Sequence, residues 1–167
     1  MFSKIGSNID TFNQTLASCV RWLALVMVIV TMTIVVLRYA FAVGAIPLQE
    51  SVIYMHGILF MLGIPYGLKQ NTHVRVDIIY SRLSPRQKGR MDLIGHIFFL
   101  LPVSIFIFLT SLPYVSASWR VLEGSSEVGG LPAVFLLKTL IPVMAILLFL
   151  QALSEIAKCI TPPRAST

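Results

Sequence analysis

Among the ionisable side chains that interrupt or border the long apolar stretches of this chain, Glu50, His56, His96 and Lys138 are the ones whose chemistry could serve a function. Charge is costly in hydrocarbon, so such residues often mark an ion or substrate path. Glu50 would hold a cation or a proton, His56 would relay a proton or ligate a haem iron, and Lys138 would face an anionic substrate. Each also has a structural reading, and that reading is the stronger one. Glu50 opens a helix, where unpaired N–H groups favour acid, and would pair with Arg38 across a short hairpin or with a partner subunit. His56 would hydrogen-bond to a helix neighbour, and Lys138 would anchor its helix by snorkelling. A haem held by His56 and His96 is disfavoured, because the two positions differ in depth by roughly 12 Å at about 1.5 Å of rise per residue. Cys19 and Cys159 have no Cys or His at zinc-like spacing. The sequence carries no nucleophile triad and no phosphate-binding glycine loop, and no cofactor is expected.

A second constellation lies between the apolar stretches: His73-Val74-Arg75-Val76-Asp77, followed by Leu83-Ser84-Pro85-Arg86-Gln87. Alternating charged and apolar residues allow two accounts. Arg75 and Asp77 pair with each other or with lipid headgroups while the valines dip into the interface, or the segment docks on another protein. Physical chemistry alone leaves both open.

The elements that carry these residues follow from composition. Of 167 residues, 56% are hydrophobic and only 12% charged, against roughly a quarter charged in ordinary soluble domains. Four apolar segments, about 22–43, 48–68, 93–119 and 133–153, are long enough for a hydrocarbon layer of roughly 30 Å. The expected fold is an all-α membrane protein with four transmembrane helices, a 22–158 domain flanked by an N-terminal segment (1–21) and a short tail (159–167). The net charge of +6 does not point to nucleic acid. Six basic residues, Lys69, Arg75, Arg82, Arg86, Lys88 and Arg90, gather in the connection between the second and third spans, and short Lys/Arg-rich loops stay inside. Both termini and this connection are therefore expected in the cytoplasm of a bacterial inner membrane. The two cysteines then face a reducing compartment and should be inert thiols.

Finer features refine this picture. Phe2, Ile5, Ile9, Phe12 and Leu16 recur at three- and four-residue spacing, with Lys4, Ser7, Asn8, Asp10, Asn13 and Gln14 between them, which predicts an amphipathic helix along the inner leaflet. The first apolar segment is too long for a signal-peptide core and is expected to remain as an anchor. Val76, Ile79, Tyr80 and Leu83 predict a short interfacial helix. Ser84 caps the next helix, with Pro85 at its first position and Gln87 completing a capping box. A helix from Pro85 to about Trp119 spans some 50 Å, more than the membrane, so it must tilt or protrude. Pro102 and Pro113 are expected bends.

These residues resemble the small membrane subunit, the DctQ-like component, of tripartite ATP-independent periplasmic (TRAP) transporters. The resemblance rests on Gly63–Gly67, Lys69, His73-Val74-Arg75-Val76-Asp77 and Leu83-Ser84-Pro85. It extends to Ser118-Trp119 with Glu123-Gly124-Ser125, and to Gly129-Gly130-Leu131-Pro132. Many relatives open the second helix with a Trp and two acids, where this chain has Gln49-Glu50; a role needing a carboxylate pair is not carried over. The resemblance implies a non-catalytic subunit. A periplasmic binding protein delivers an organic anion, a large many-span permease subunit handles substrate and sodium, and the small subunit packs on its static scaffold among membrane lipids. On this reading Arg38, Glu50, His56, His73, Arg75, Asp77, Ser84, Pro85, Trp119 and Lys138 serve assembly or membrane positioning. The alternatives are an autonomous small transporter using Glu50 and His56, and a membrane redox or haem subunit.

Overall fold

Within hydrocarbon a chain must satisfy its own backbone hydrogen bonds, which leaves helices as the solution for a protein without a closed barrel. The computed structural model describes residues 2–70, 80 and 83–160, and among them it holds helices and no strand. They are α1 (Phe2–Val20), α2 (Trp22–Phe41), α3 (Ile46–Lys69), α4 (Pro85–Gly95), a π-helical turn (His96–Leu100), α5 (Leu101–Arg120) and α6 (Val134–Ile160). Among the described residues, four helical stretches are long and apolar enough to cross a membrane.

Local chemistry sets the ends. Ala42 adopts a left-handed conformation (φ 56°) that stops α2, and its N–H bonds to Leu37 O. Ser84 caps α4 as expected: its hydroxyl accepts from Gln87 N, and Gln87 Oε1 accepts from Ser84 N at 2.9 Å. From Pro85 the helix runs unbroken to Arg120. The π-helical turn sits just ahead of Pro102, where Leu101 N bonds to His96 O. Widening the ladder there accommodates the donor that proline lacks. Tyr80 bonds to this helix through Oη and Asp92 Oδ2 (2.8 Å), with the Lys88 ammonium 5.2 Å from its ring centroid. Leu83 N bonds to Tyr80 O (3.2 Å), and Val76 and Ile79 of the expected interfacial helix lie outside the described residues.

The bundle has an apolar surface and an interior that holds polar as well as apolar side chains. Its surface carries Val28, Phe98, Phe99 and Phe106, all more than 60% exposed, and α2 buries no residue. Its interior holds Asn13, Ser104, Ser111, Ser118, Gln151 and Ser154. Lipid tails are as apolar as leucine, so helices in a membrane associate through close approach of small residues and through polar contacts. On α5, Ser104, Ser111, Val115 and Ser118 form one buried stripe against α6. Ser104 and Ser111 donate to carbonyls of their own helix, Leu101 O and Phe108 O. Helix α6 is the hub. It buries Pro142, Ala145, Leu147, Leu148, Gln151, Ala152 and Ser154, and packs on α1, α3 and α5, whereas α2 leans mainly on α3.

Candidate functional site

Two polar clusters hold the bundle at its opposite ends. The first lies where the chain ends converge. On α6, Gln151, Ser154, Glu155 and Lys158 recur at three, four and seven residues, which puts them on one face. On α1, Gly6, Asp10 and Asn13 do the same, and the two faces meet. The Gln151 carboxamide is fully exposed to partners and fully hidden from solvent. Its Oε1 accepts from Asn13 Nδ2 (2.7 Å), and its Nε2 donates to Asp10 Oδ1 (2.9 Å) and Glu155 Oε1 (2.8 Å). The Ser154 hydroxyl donates to Asp10 Oδ1 (2.8 Å), with Gly6 O at 3.2 Å. Gly6 permits this approach, since a Cβ there would lie 3.3 Å from Ser154 Oγ. Lys158 Nζ stands 2.7 Å from both Asp10 Oδ2 and Glu155 Oε1. Lys69 of α3 joins by donating to Gln14 Oε1 (2.8 Å) and Asp10 O (3.3 Å).

This arrangement corrects the expected division of α1. Asp10 and Asn13, read as part of a solvated face, turn into the bundle beside Gly6 and Val20, while Phe12 points outward at 57% exposure. The reason is pairing: α6 presents polar groups that only a polar stripe can satisfy.

The second cluster lies at the hairpin end, beside the connections 42–45 and 121–133. Glu50 at the start of α3 bridges to the second connection. Its Oε1 accepts from Ser125 Oγ and its Oε2 from Leu131 N. Glu127 N donates back to Ser125 Oγ (3.0 Å), and Ser125 N to Leu131 O (3.1 Å). Gly130 is required at this fold-back, because a Cβ would stand 2.7 Å from Glu50 Oε1. The expected Arg38–Glu50 pair is therefore not formed; the loop reaches Glu50 first, and Arg38 is exposed in the last turn of α2.

Lys138 does not snorkel freely either. It pairs with Glu123 Oε2, and its ammonium lies 4.2 Å from the Tyr114 ring centroid. Trp119 Nε1 donates to Thr139 Oγ1 (2.8 Å) and the indole meets Phe135 edge-on at 4.7 Å, fastening α5 to α6. His56 departs from expectation most clearly. It is exposed on α3 and stacks on Phe60 (centroids 6.1 Å apart, planes at 15°) instead of bonding to a helix neighbour. Ser84 and Pro85 serve the α4 start, and His73, Arg75 and Asp77 lie outside the described residues. The residues that sequence reasoning missed are Gln151, Ser154 and Glu155. The available signal was a run of polar positions on one face of an otherwise apolar helix.

Chemically, both clusters are closed. Glu50, Lys138, Asp10 and Lys158 are each engaged, and among the described residues no group of three His, Cys, Asp or Glu side chains could hold a metal. Cys19 and Cys159 are free thiols.

A family model described as the DctQ component of tripartite ATP-independent periplasmic transporters matches residues 27–161, from the first span to the end of α6. No curated protein and no solved structure matches the chain.

Two outcomes follow from the clusters. Asp10→Ala removes the acceptor that Gln151, Ser154 and Lys158 share, and should lower stability by about 2 kcal/mol. Lys158→Met, at a side chain 41% exposed, should cost about 1 kcal/mol or less. Detergent-solubilised unfolding midpoints of the two variants give the ranking. The second outcome concerns pH. The Lys138 ammonium holds the Glu123 carboxyl below its ordinary value of 4.5. A lowered carboxylate pKa adds stability above the unfolded value, which is lost as pH falls through the folded one. Amide protection in residues 122–132, corrected for intrinsic exchange, should hold at neutral pH and fall as pH drops below 4.5. In Glu123→Gln it should already be reduced at neutral pH.

Proposed function

The chain belongs to the DctQ component family of tripartite ATP-independent periplasmic transporters, and we propose that it is the non-catalytic small membrane subunit of such a transporter. In this role it packs on the static scaffold of the large permease subunit. Together they take up an organic acid, coupled to sodium, that a periplasmic binding protein delivers. The chain sits as a multi-pass protein of a bacterial inner membrane with both termini in the cytoplasm. Its polar hairpin end then faces outward, and α1 lies along the inner leaflet with its polar stripe against α6.

One observation supports the scaffold role above the others: the charged side chains of the two polar clusters, Asp10, Glu155 and Lys158 at one end and Glu50, Glu123 and Lys138 at the other, are engaged with partners inside the chain. An autonomous transporter would need Glu50 and His56 turned toward a shared path. Instead Glu50 is bound by Ser125 and Leu131 N, and His56 looks out of the bundle. Packing through α5 and α6 leaves much of α2 and one stripe of α3 bare, which suits a protein whose surface is finished by lipid and by another subunit. The basic connection carrying Arg75 and Asp77 would position the complex on the cytoplasmic side.

Reconstitution tests this reading. Vesicles with this chain alone should show no uptake, and vesicles with the large subunit and binding protein should take up substrate only when this chain is added. Uptake by the chain alone, or full uptake without it, would contradict the proposal. In the same assay Arg75→Ala and Asp77→Ala should lower the yield of co-purified large subunit and leave substrate choice unchanged.

A further inference from the structure

Gln49, Ile53, His56 and Phe60 follow one another at four, three and four residues, and all four are exposed. They form a single stripe on α3. Ile53 is 59% and Phe60 60% exposed. His56 is the eleventh residue of a 24-residue helix, so it stands about 15 Å from one end and about 20 Å from the other. That is near the middle of a hydrocarbon layer of roughly 30 Å. Lysine and arginine reach headgroups by extending a long stem, but an imidazole on one methylene cannot.

Several exposed hydroxyls on the spans avoid this problem. Thr33, Thr110 and Ser116 each donate to a carbonyl of their own helix, at 2.9, 2.7 and 2.9 Å. His56 has no such relief. Its ring stacks on Phe60, which occupies a ring face and leaves the edge nitrogens at the stripe's surface. A neutral imidazole carries one donor and one acceptor, and none of the described residues bonds to either. Toward the far end α3 is covered, with Pro65 buried and Lys69 tied to α1. The bare stripe is confined to the half that bears His56.

We infer that this stripe is the seat of a transmembrane helix of the large permease subunit, and that this helix presents a hydrogen-bonding group to His56. A hydroxyl, a carboxamide or a carbonyl freed at a helix break would serve. The inference rests on the proposed scaffold role and adds the face and its chemistry. Lipid tails would leave both nitrogens unpaired in hydrocarbon. A second copy related by a two-fold axis would set imidazole against imidazole, and one would have to donate while the other accepts, breaking the symmetry. A different chain can supply the complement directly, with Phe60 and Ile53 packing on either side.

The test uses the assembled transporter in native membranes, with a benzophenone amino acid at position 53 or 60 of the small subunit. Adducts with the large subunit from both positions are expected. Adducts only with lipid, or with a second copy of this chain, overturn the inference. Co-purification then probes the polar pair. His56→Leu should reduce recovered large subunit by about threefold to tenfold, and His56→Gln, which keeps a donor and an acceptor, should restore most of it. Equal recovery with leucine and histidine would overturn the hydrogen-bonding role. Failure of the unsubstituted chain to recover the large subunit would instead strike the scaffold reading itself.

Discussion

The contact on which the rest of the structure depends is the carboxamide of Gln151 held between Asn13, Asp10 and Glu155. In a membrane, apolar surfaces gain little by leaving lipid for each other, so polar pairing and close approach decide which helices touch. Gln151 is wholly buried and its two N–H groups and its carbonyl are all engaged. A buried polar group left half-satisfied is costly, whereas a fully satisfied network specifies one arrangement. Two carboxylates, Asp10 and Glu155, share the Lys158 ammonium, and Lys69 adds a second cation at the edge. The cluster therefore carries no net charge, and it joins α1, α3 and α6 at one level.

Its counterpart at the hairpin end works on the loop instead of on the helices. Glu50 draws residues 125 and 131 together, Glu123 reaches Lys138, and Trp119 reaches Thr139. Between the two ends, the small side chains Ser104, Ser111, Ala145 and Ala152 are buried where α5 and α6 meet, beside Val115, Leu147 and Leu148. A bundle stapled at its two ends has little freedom to open a path between them.

Much of this was legible in the sequence, for definite physical reasons. Long apolar runs pointed to four spans, and four helical stretches among the described residues are long and apolar enough to cross a membrane, because bilayer thickness dictates helix length. The Ser84 capping box and the overlong third helix were readable because capping and helix rise are local properties. Tertiary pairing was harder to see. Arg38 and Glu50 lie on adjacent helix ends, yet Ser125, 75 residues beyond Glu50, folds back to claim the carboxylate. The amphipathic pattern of α1 gave the helix correctly, but assigned Asp10 and Asn13 to water because their partners lie more than 130 positions away. His56 was expected to bond within the chain; it is exposed on α3 and stacks on Phe60 instead, because among the described residues no polar group of a neighbouring helix stands on that face.

The central claim, that a polar seam docks α1 on α6, is tested most directly by disulfide trapping between Gly6→Cys and Ser154→Cys in a chain lacking Cys19 and Cys159. A Cβ at position 6 lies 3.9 Å from Ser154 Cα, so the two Cα atoms fall within the usual disulfide range of about 4.4–6.8 Å. Mild oxidation of native membranes should convert most of the double-cysteine protein to a fast-migrating, reducible form, while a Phe12→Cys/Ser154→Cys pair stays uncrosslinked. Absence of the 6–154 crosslink, or equal trapping by the outward-facing position 12, would contradict the account.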